Sequence, residues 1–365
     1  MKVLVVFGTR PEAIKMCPLI LEIKRTKLLK CCICLTGQHK EMLKQVMNIF
    51  QLEADYDLDI MKPAQTLSDI TIRILKNLES VIKKEKPNLI LVHGDTTTAF
   101  AAALGGFYNG IPIGHVEAGL RTYDMKSPYP EEFNRQVVDL ISQIYFAPTE
   151  IAKKNLLKEG KKENSIFVTG NTVIDALKTT IKSDYENEHI RWSEGSRLIL
   201  LTAHRRENLG QPMRNMFQAI KRITQEFADV KVLYPVHKNP IVREISREEL
   251  NGEERIRMIE PLDVVDFHNF MAKSYLILTD SGGIQEEAPA LGKPVLVMRD
   301  TTERPEGVEA GTLKLVGTQE ENIYEETKKL LTDDNSYQLM KKSVNPYGDG
   351  HASERIVQII LQYLS

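Results

Sequence analysis

The chain has 365 residues, of which 42% are hydrophobic and 27% charged, and its formal net charge is −2. That composition excludes a disordered or fibrous protein, and the length predicts two domains, each able to bury its own core. Near-neutral charge argues against nucleic acid and anionic membranes as partners, and no apolar run approaches the ~18 residues of a membrane span.

The first predicted strand, VLVVF at 3–7, leaves too little apolar sequence for a signal peptide, so a cytoplasmic protein is expected. CCICL at 31–35 is the second strand. Adjacent strand residues point to opposite faces, so Cys31, Cys32 and Cys34, with Cys17, are expected as buried reduced thiols rather than a metal cage or disulfides. NLILVHGD, IPIGHVEAG, QIYFAP and FVTGN continue the series to residue 171. The polar stretch SDYENEHIRWSEGS reads as a linker or surface loop. A second series follows in LILLTAH, VKVLYPV, IRMIEP, YLILTD and KPVLVM. Helical periodicity fills residues 66–84, 131–142, 211–227 and 319–332, and ASERIVQIILQYLS ends the chain as an amphipathic helix. The basic runs KRTKLLK, KKEKP and KEGKKEN read as solvated helix ends.

Strands apolar throughout belong to parallel sheets covered on both faces. Strand–helix–strand repetition therefore predicts an α/β protein with two Rossmann-like domains, at 1–170 (joined by the final helix, 351–365) and 171–350, with a cleft between them. Polar motifs gather at the strand ends. After Phe7, Arg10 and Lys15 flank the first turn of a helix, either as an anion site or as surface cations on a capped helix. Asp95 ends the HGD strand, as a helix cap or as a catalytic group. Glu117 ends the next strand, where a carboxylate must be paired, hydrated or functional. Pro128 and Pro130 stiffen the following loop, and Glu131 opens a helix on which Arg135 can pair with it one turn on. Carboxylates crowded at one sheet edge would repel and raise at least one pKa, which suits acid/base work. In the second series His204, Arg205 and Arg206 end one strand and His237 the next. Ser281 is placed to cap a helix, and Gly282 and Gly283 let backbone amides approach a ligand. Glu286 and Glu287 follow one turn later, and Arg299 and Arg304 lie on a loop as surface charge or as a second anion clamp.

Taken in order, GTRPEAIKM, HGDTTT, HVEAGLRT, SPYPEEFNR, GNTVIDAL, TAHRREN, TDSGGIQEEAPALGKPVLVMRDTTERPE and NPYGDGHASERI resemble the non-hydrolysing bacterial UDP-N-acetylglucosamine 2-epimerases over nearly the whole chain. The resemblance implies the GT-B architecture. It implies interconversion of UDP-N-acetylglucosamine and UDP-N-acetylmannosamine, by loss of UDP to a 2-acetamidoglucal and re-addition, without redox cofactor or metal. It implies a homodimer that supplies N-acetylmannosamine units for cell-surface polysaccharide. Asp95, Glu117 and Glu131 match the carboxylates used for proton transfer and for stabilising a cationic sugar, and His204 joins the catalytic set. Arg10, Lys15, His204, Ser281, Gly282, Gly283, Glu287 and Arg304 match UDP contacts. Arg135 joins the substrate-binding set, Phe267 matches a uracil-side position, and Leu262 stands where relatives often carry a polar residue, so only its backbone would carry over. Some members bind a second UDP-N-acetylglucosamine as activator, and Gln38, His39, Glu131, Arg135, Arg205 and His237 match that region in part, with departures at Glu41 and Ala64. A GT-B glycosyltransferase, a hydrolysing epimerase and a non-catalytic UDP-sugar sensor are the rival readings.

Overall fold

The computed structural model describes residues 1–38 and 40–365. In chain order its first elements are β1 (Lys2–Phe7), α1 (Arg10–Arg25), β2 (Lys30–Leu35), α2 (Lys40–Ile49), β3 (Tyr56–Asp57), α3 (Leu67–Glu85), β4 (Leu89–His93), α4 (Thr97–Tyr108), β5 (Ile113–Val116), α5 (Glu131–Ile141), β6 (Ile144–Ala147), α6 (Glu150–Lys158), β7 (Ile166–Val168) and α7 (Thr172–Thr180). Then come α8 (Glu188–Trp192), β8 (Arg197–Thr202), α9 (Gln211–Glu226), β9 (Val230–Pro235), α10 (Pro240–Leu250), β10 (Ile256–Ile259), α11 (Val264–Lys273), β11 (Leu276–Thr279), α12 (Ile284–Ala290), β12 (Val295–Val297), α13 (Pro305–Glu309), β13 (Leu313–Leu315), α14 (Glu320–Thr332), α15 (Asp334–Lys342) and α16 (Ala352–Leu364). The chain divides into two units, Met1–Thr179 with Tyr347–Ser365, and Thr180–Pro346.

Each unit is built on one parallel sheet. The first has order β3-β2-β1-β4-β5-β6-β7 and the second β10-β9-β8-β11-β12-β13. All-apolar strands sit in the middle: Val3 to Phe7 and Leu89 to Val92 are fully buried, as are Ile199 to Leu201 in the second unit. Their side chains pack against helices, for example Leu4, Val6, Ile74 and Leu78 in the first unit and Ile199, Phe217, Tyr234 and Leu278 in the second. Helix starts follow local chemistry. Thr66 and Asp69 form a capping box before α3, and Asp175 accepts the Ala352 and Ser353 amides at 3.2 and 2.8 Å, fixing the start of α16, which packs on α1. No helix among the described residues is long and apolar enough to cross a membrane.

In each sheet the strand order reverses beside the first strand of its unit, between β1 and β4 and between β8 and β11. Ligand-binding loops of open α/β sheets gather outside the strand carboxyl ends at such switch points. Gly8 to Lys15 and His93 to Asp95 therefore share one location, and His204 and Asp280 to Gly283 share another.

Some expectations need correction. The polar stretch 183–196 is not only linker, because it contains α8, which Asn187 caps by accepting the His189 amide at 2.9 Å. Cys31 is only partly buried, whereas Cys17, Cys32 and Cys34 are buried. All four are free, and burial pushes the thiols of Cys31 and Cys32 up to about 12, which keeps them out of thiolate chemistry.

Candidate active site

The first unit holds a cavity of about 400 Å³ at its switch point. Lys15, His93, Asp95, Glu117 and Glu131 all line it. Helix α1, the ends of β4 and β5 and the first residue of α5 thus deliver a lysine, a histidine and, with Glu12, four carboxyl groups to one volume.

The start of α1 decides how an anion could be held there. Thr9 caps the helix and Glu12 completes the capping box. The Glu12 carboxylate accepts from the Gly8 and Thr9 amides at 3.0 and 2.8 Å and from the Thr96 hydroxyl at 2.6 Å. These amides are therefore occupied, and any anion here meets side chains rather than the helix terminus. Burial pushes the Glu12 carboxyl above its ordinary range, against the pull of those donors. Arg10 makes no ion pair among the described residues, whereas Lys15 pairs with Glu117.

Asp95 is not a helix cap. Thr96 does that work, accepting the Ala99 amide at 3.0 Å, and the Asp95 carboxylate faces Arg135 instead. Arg135 therefore does not pair with Glu131. Its other nitrogen lies 3.2 Å from Glu132, because the strand end of β4 brings Asp95 closer than the helical neighbour. Glu132 is buried and accepts the Thr122 and Tyr123 amides at 3.0 Å each, tying the loop before α5 to that helix. Expected repulsion among three carboxylates is thus relieved by cations, Arg135 at Asp95 and Lys15 at Glu117. Glu131 makes no ion pair among the described residues.

Glu117 has φ +66°, in the left-handed region that costs a non-glycine residue roughly 1 kcal/mol. The Asn171 side chain donates to its carboxylate at 2.9 Å, and its own amide and that of Ala118 donate to the Phe146 carbonyl. Behind it stands His93, 4% exposed, with Nε2 3.6 Å from the carboxylate and without a hydrogen-bond partner. Burial pushes the His93 ring down to about 3, so it is neutral and this contact is not an ion pair.

In the second unit Asp280 plays the part that Glu12 plays in the first. It is fully buried at the end of β11 and accepts the His204 and Arg205 amides at 2.9 Å each and the Asn208 side chain at 3.0 Å. His204 stacks on His237 with ring centroids 5.1 Å apart, and burial, with His237 and Arg205 beside it, pushes the His204 ring below its ordinary range. Ser281 does not cap α12. Gly283 occupies the cap position with no side-chain cap, and the Ser281 amide donates to Thr279 at 2.9 Å. A Cβ on Gly282 would meet the Glu303 carboxylate at 2.7 Å and the Arg304 guanidinium at 2.8 Å, so a larger residue there would have to displace the ends of that ion cluster. Arg304 pairs with Glu286 at 2.6 Å and Glu303 at 2.7 Å, and Arg299 pairs with Glu303 at 2.7 Å, so both loop arginines carry carboxylate partners. Glu287 lies 3.3 Å from His268, whose other nitrogen meets the Thr180 hydroxyl at 2.7 Å. Leu262 and Phe267 are half-buried on either side of the Asp263 cap of α11.

Of the expected second-site residues, Gln38 lines the first unit's cavity and accepts from Thr98 at 3.3 Å. Arg205 reaches the Asp280 carbonyl at 3.2 Å. His237, stacked on His204, accepts the Asn239 amide at Nδ1 at 3.1 Å, and Asn239 in turn caps α10. His39 lies outside the described residues. Sequence reasoning missed Glu12, Asn171, Asp280 and His268 as members of these clusters, and it placed His93 at the carboxyl end of its strand without giving it a role. Only Glu12 had a local signal, the Thr-x-x-Glu spacing of a capping box.

Comparison with known proteins identifies the family. The family model described as UDP-N-acetylglucosamine 2-epimerase matches residues 21–361. A UDP-N-acetylglucosamine 2-epimerase of Bacillus subtilis is 59% identical over 361 residues, covering 99% of this chain and 95% of its own. A crystal structure of a UDP-N-acetylglucosamine 2-epimerase superposes with TM-score 0.94 at 57% identity, covering 100% of this chain and 96% of the other. The Neisseria meningitidis enzyme bound to UDP-GlcNAc superposes with TM-score 0.89 at 49% identity, covering 99% and 100%. Both units are Rossmann-like, as in the GT-B class.

Proposed function

The chain belongs to the UDP-N-acetylglucosamine 2-epimerase family, and from that premise we propose that it interconverts UDP-N-acetylglucosamine and UDP-N-acetylmannosamine. The observation that carries the reading is the 400 Å³ cavity, where Asp95, Glu117 and Glu131 share one volume with Lys15. In the proposed reaction the C2 proton leaves, the C1–O bond breaks, UDP departs and a C1=C2 double bond forms. The resulting 2-acetamidoglucal takes UDP back at C1 and a proton at C2 on the opposite face. The C2 proton is weakly acidic, so the departing diphosphate leaves positive charge at C1, which nearby carboxylates stabilise. Asp95 and Glu117, each beside a cation, are suited to holding that charge. Glu131, without an ion pair among the described residues, is suited to taking and returning the proton.

Diphosphate recognition falls to Arg10, Lys15, His204 and Arg304 with Ser281, Gly282 and Gly283. Glu287 serves the ribose, and Phe267 and the Leu262 backbone serve the uracil. Arg135 acts through Asp95. Gln38, Arg205 and His237 are assigned to a second, activating UDP-sugar. A homodimer is supported by exposed apolar side chains on neighbouring helices of the first unit, among them Ile72, Phe107, Phe133 and Leu140. A cytoplasmic enzyme supplying N-acetylmannosamine units for cell-surface polysaccharide completes the reading.

The test is proton NMR of the purified protein with UDP-N-acetylglucosamine in D2O. UDP-N-acetylmannosamine carrying deuterium at C2 is expected. Free UDP with free N-acetylmannosamine would replace the reading with a hydrolysing enzyme, and an unchanged spectrum with UDP bound would replace it with a transferase or sensor.

A further inference from the structure

We infer that the buried His115–Asp139 pair is a positioning device that sets the two turns carrying Asp95 and Glu117. The inference rests on the proposed function for its catalytic consequence, and on geometry for the clamp itself. Neither residue lines the cavity, and both are fully buried, His115 on β5 and Asp139 on α5. A buried imidazole and a buried carboxylate are costly unless every polar atom is engaged, and here each one is.

The connections run from one turn to the other. His115 Nε2 lies 2.8 Å from the Gly94 carbonyl, directly before Asp95, and Nδ1 lies 2.6 Å from Asp139 Oδ1. Asp139 Oδ2 accepts the Gly119 amide at 3.1 Å, two residues after Glu117, and lies 2.8 Å from Arg121. Gly94 and Gly119 take φ of +61° and +86° at no steric cost, whereas Glu117 at +66° carries left-handed strain that its surroundings must hold. A Cβ on Gly119 would meet the Ala152 carbonyl at 2.3 Å, which leaves that turn no room to shift. Burial pushes the Asp139 carboxyl up, but His115 and Arg121 outweigh it and hold it below the usual range.

Helix α5 is thereby the common reference for all three carboxylates. Glu131 is its first residue. Asn134 donates to the Asp95 carbonyl at 2.9 Å and Arg135 pairs with the Asp95 side chain. Asp139, two turns on, reaches both strand-end turns through His115 and Gly119. A small shift of a reacting group costs rate without costing binding.

The experiment compares His115→Phe and Asp139→Asn with Leu78→Ala, a fully buried substitution on α3 of the same unit that packs beside Gly105 of α4. In His115→Phe, kcat is expected to fall by about 100-fold while KM and UDP affinity stay within about threefold. Leu78→Ala is expected to lose thermal stability and keep kcat within about twofold, measured well below its melting temperature. A His115→Phe kcat near that of the wild type, or a fall matched by Leu78→Ala, overturns the inference. If His115→Phe does not fold, Asp139→Asn decides by the same comparison. If the unsubstituted protein shows no epimerisation, the functional reading fails separately, and hydrogen exchange decides the clamp. Faster exchange at both 93–97 and 117–121 supports it, and unchanged exchange there overturns it.

Discussion

The two switch points use the same staple for different ends. In the first unit the Glu12 carboxylate gathers the Gly8 and Thr9 amides, and in the second the Asp280 carboxylate gathers those of His204 and Arg205. Around this shared device the charged groups differ. The first unit sets Asp95, Glu117 and Glu131, with Glu12, around a cavity and gives Asp95 and Glu117 a cation. The second sets Arg299 and Arg304 among Glu207, Glu286 and Glu303 beside a glycine. A surplus of carboxylates suits a reacting sugar that becomes cationic, and converging arginines suit a diphosphate. On the proposed reading, one fold serves two chemistries through a few residues near its strand ends.

Removing the carboxylates should cost the most. Asp95→Asn and Glu117→Gln are each expected to lower kcat by about 100- to 10,000-fold while UDP affinity is kept. Glu131→Gln should in addition abolish deuterium incorporation at C2. Near-normal turnover in Asp95→Asn and Glu117→Gln would undo the division of labour between the two units. On the other side, Arg304→Ala should weaken UDP binding by about 10- to 100-fold in calorimetry, since charge-assisted contacts to phosphate are the strong ones. Arg10→Ala is the finer probe, because Arg10 belongs to the first unit and has no carboxylate partner among the described residues. A loss of UDP affinity there would show that the diphosphate draws on both sets of cations, and unchanged affinity would remove Arg10 from the anion site.

Much of this was legible in the sequence because apolar strands announce themselves. VLVVF, LILVH and LILLT are short, rich in β-branched residues or leucine and bounded by turn or polar residues, and the motifs at their ends fall where the topology gathers ligands. The two-residue β3 and three-residue β13 were missed because edge strands this short leave no pattern. The partner of Arg135 was misread because helical spacing offers Glu131, while Asp95 arrives from a distant strand end. Glu12 was missed for the opposite reason. Its capping box was visible, but Arg10 and Lys15 beside it suggested an anion at the same helix start. The His115–Asp139 pair lay inside a quoted motif and its neighbouring helix, and nothing local says that a histidine in an apolar strand reaches a carbonyl on the next one.

A subtler effect separates two buried groups of the first cavity by the sign of their pH dependence. His93 is held neutral by burial, at about 3 against an ordinary value of 6.5. Between those values the unfolded chain binds a proton that the folded chain refuses, so stability rises with pH across the window. The contribution is complete above about pH 6.5 and is lost as pH falls toward 3; between pH 7 and 5 it amounts to about 2 kcal/mol. Glu12 runs the other way. Its carboxyl is raised by burial, so its contribution is present at low pH and is lost as pH rises through the folded value. His93→Gln should therefore flatten the fall in melting temperature between about pH 7 and pH 5, while Glu12→Gln should leave that fall no smaller. An unchanged slope in His93→Gln would mean that the ring is not held neutral in the folded chain, and Glu117 would then stand beside a second cation rather than a neutral wall.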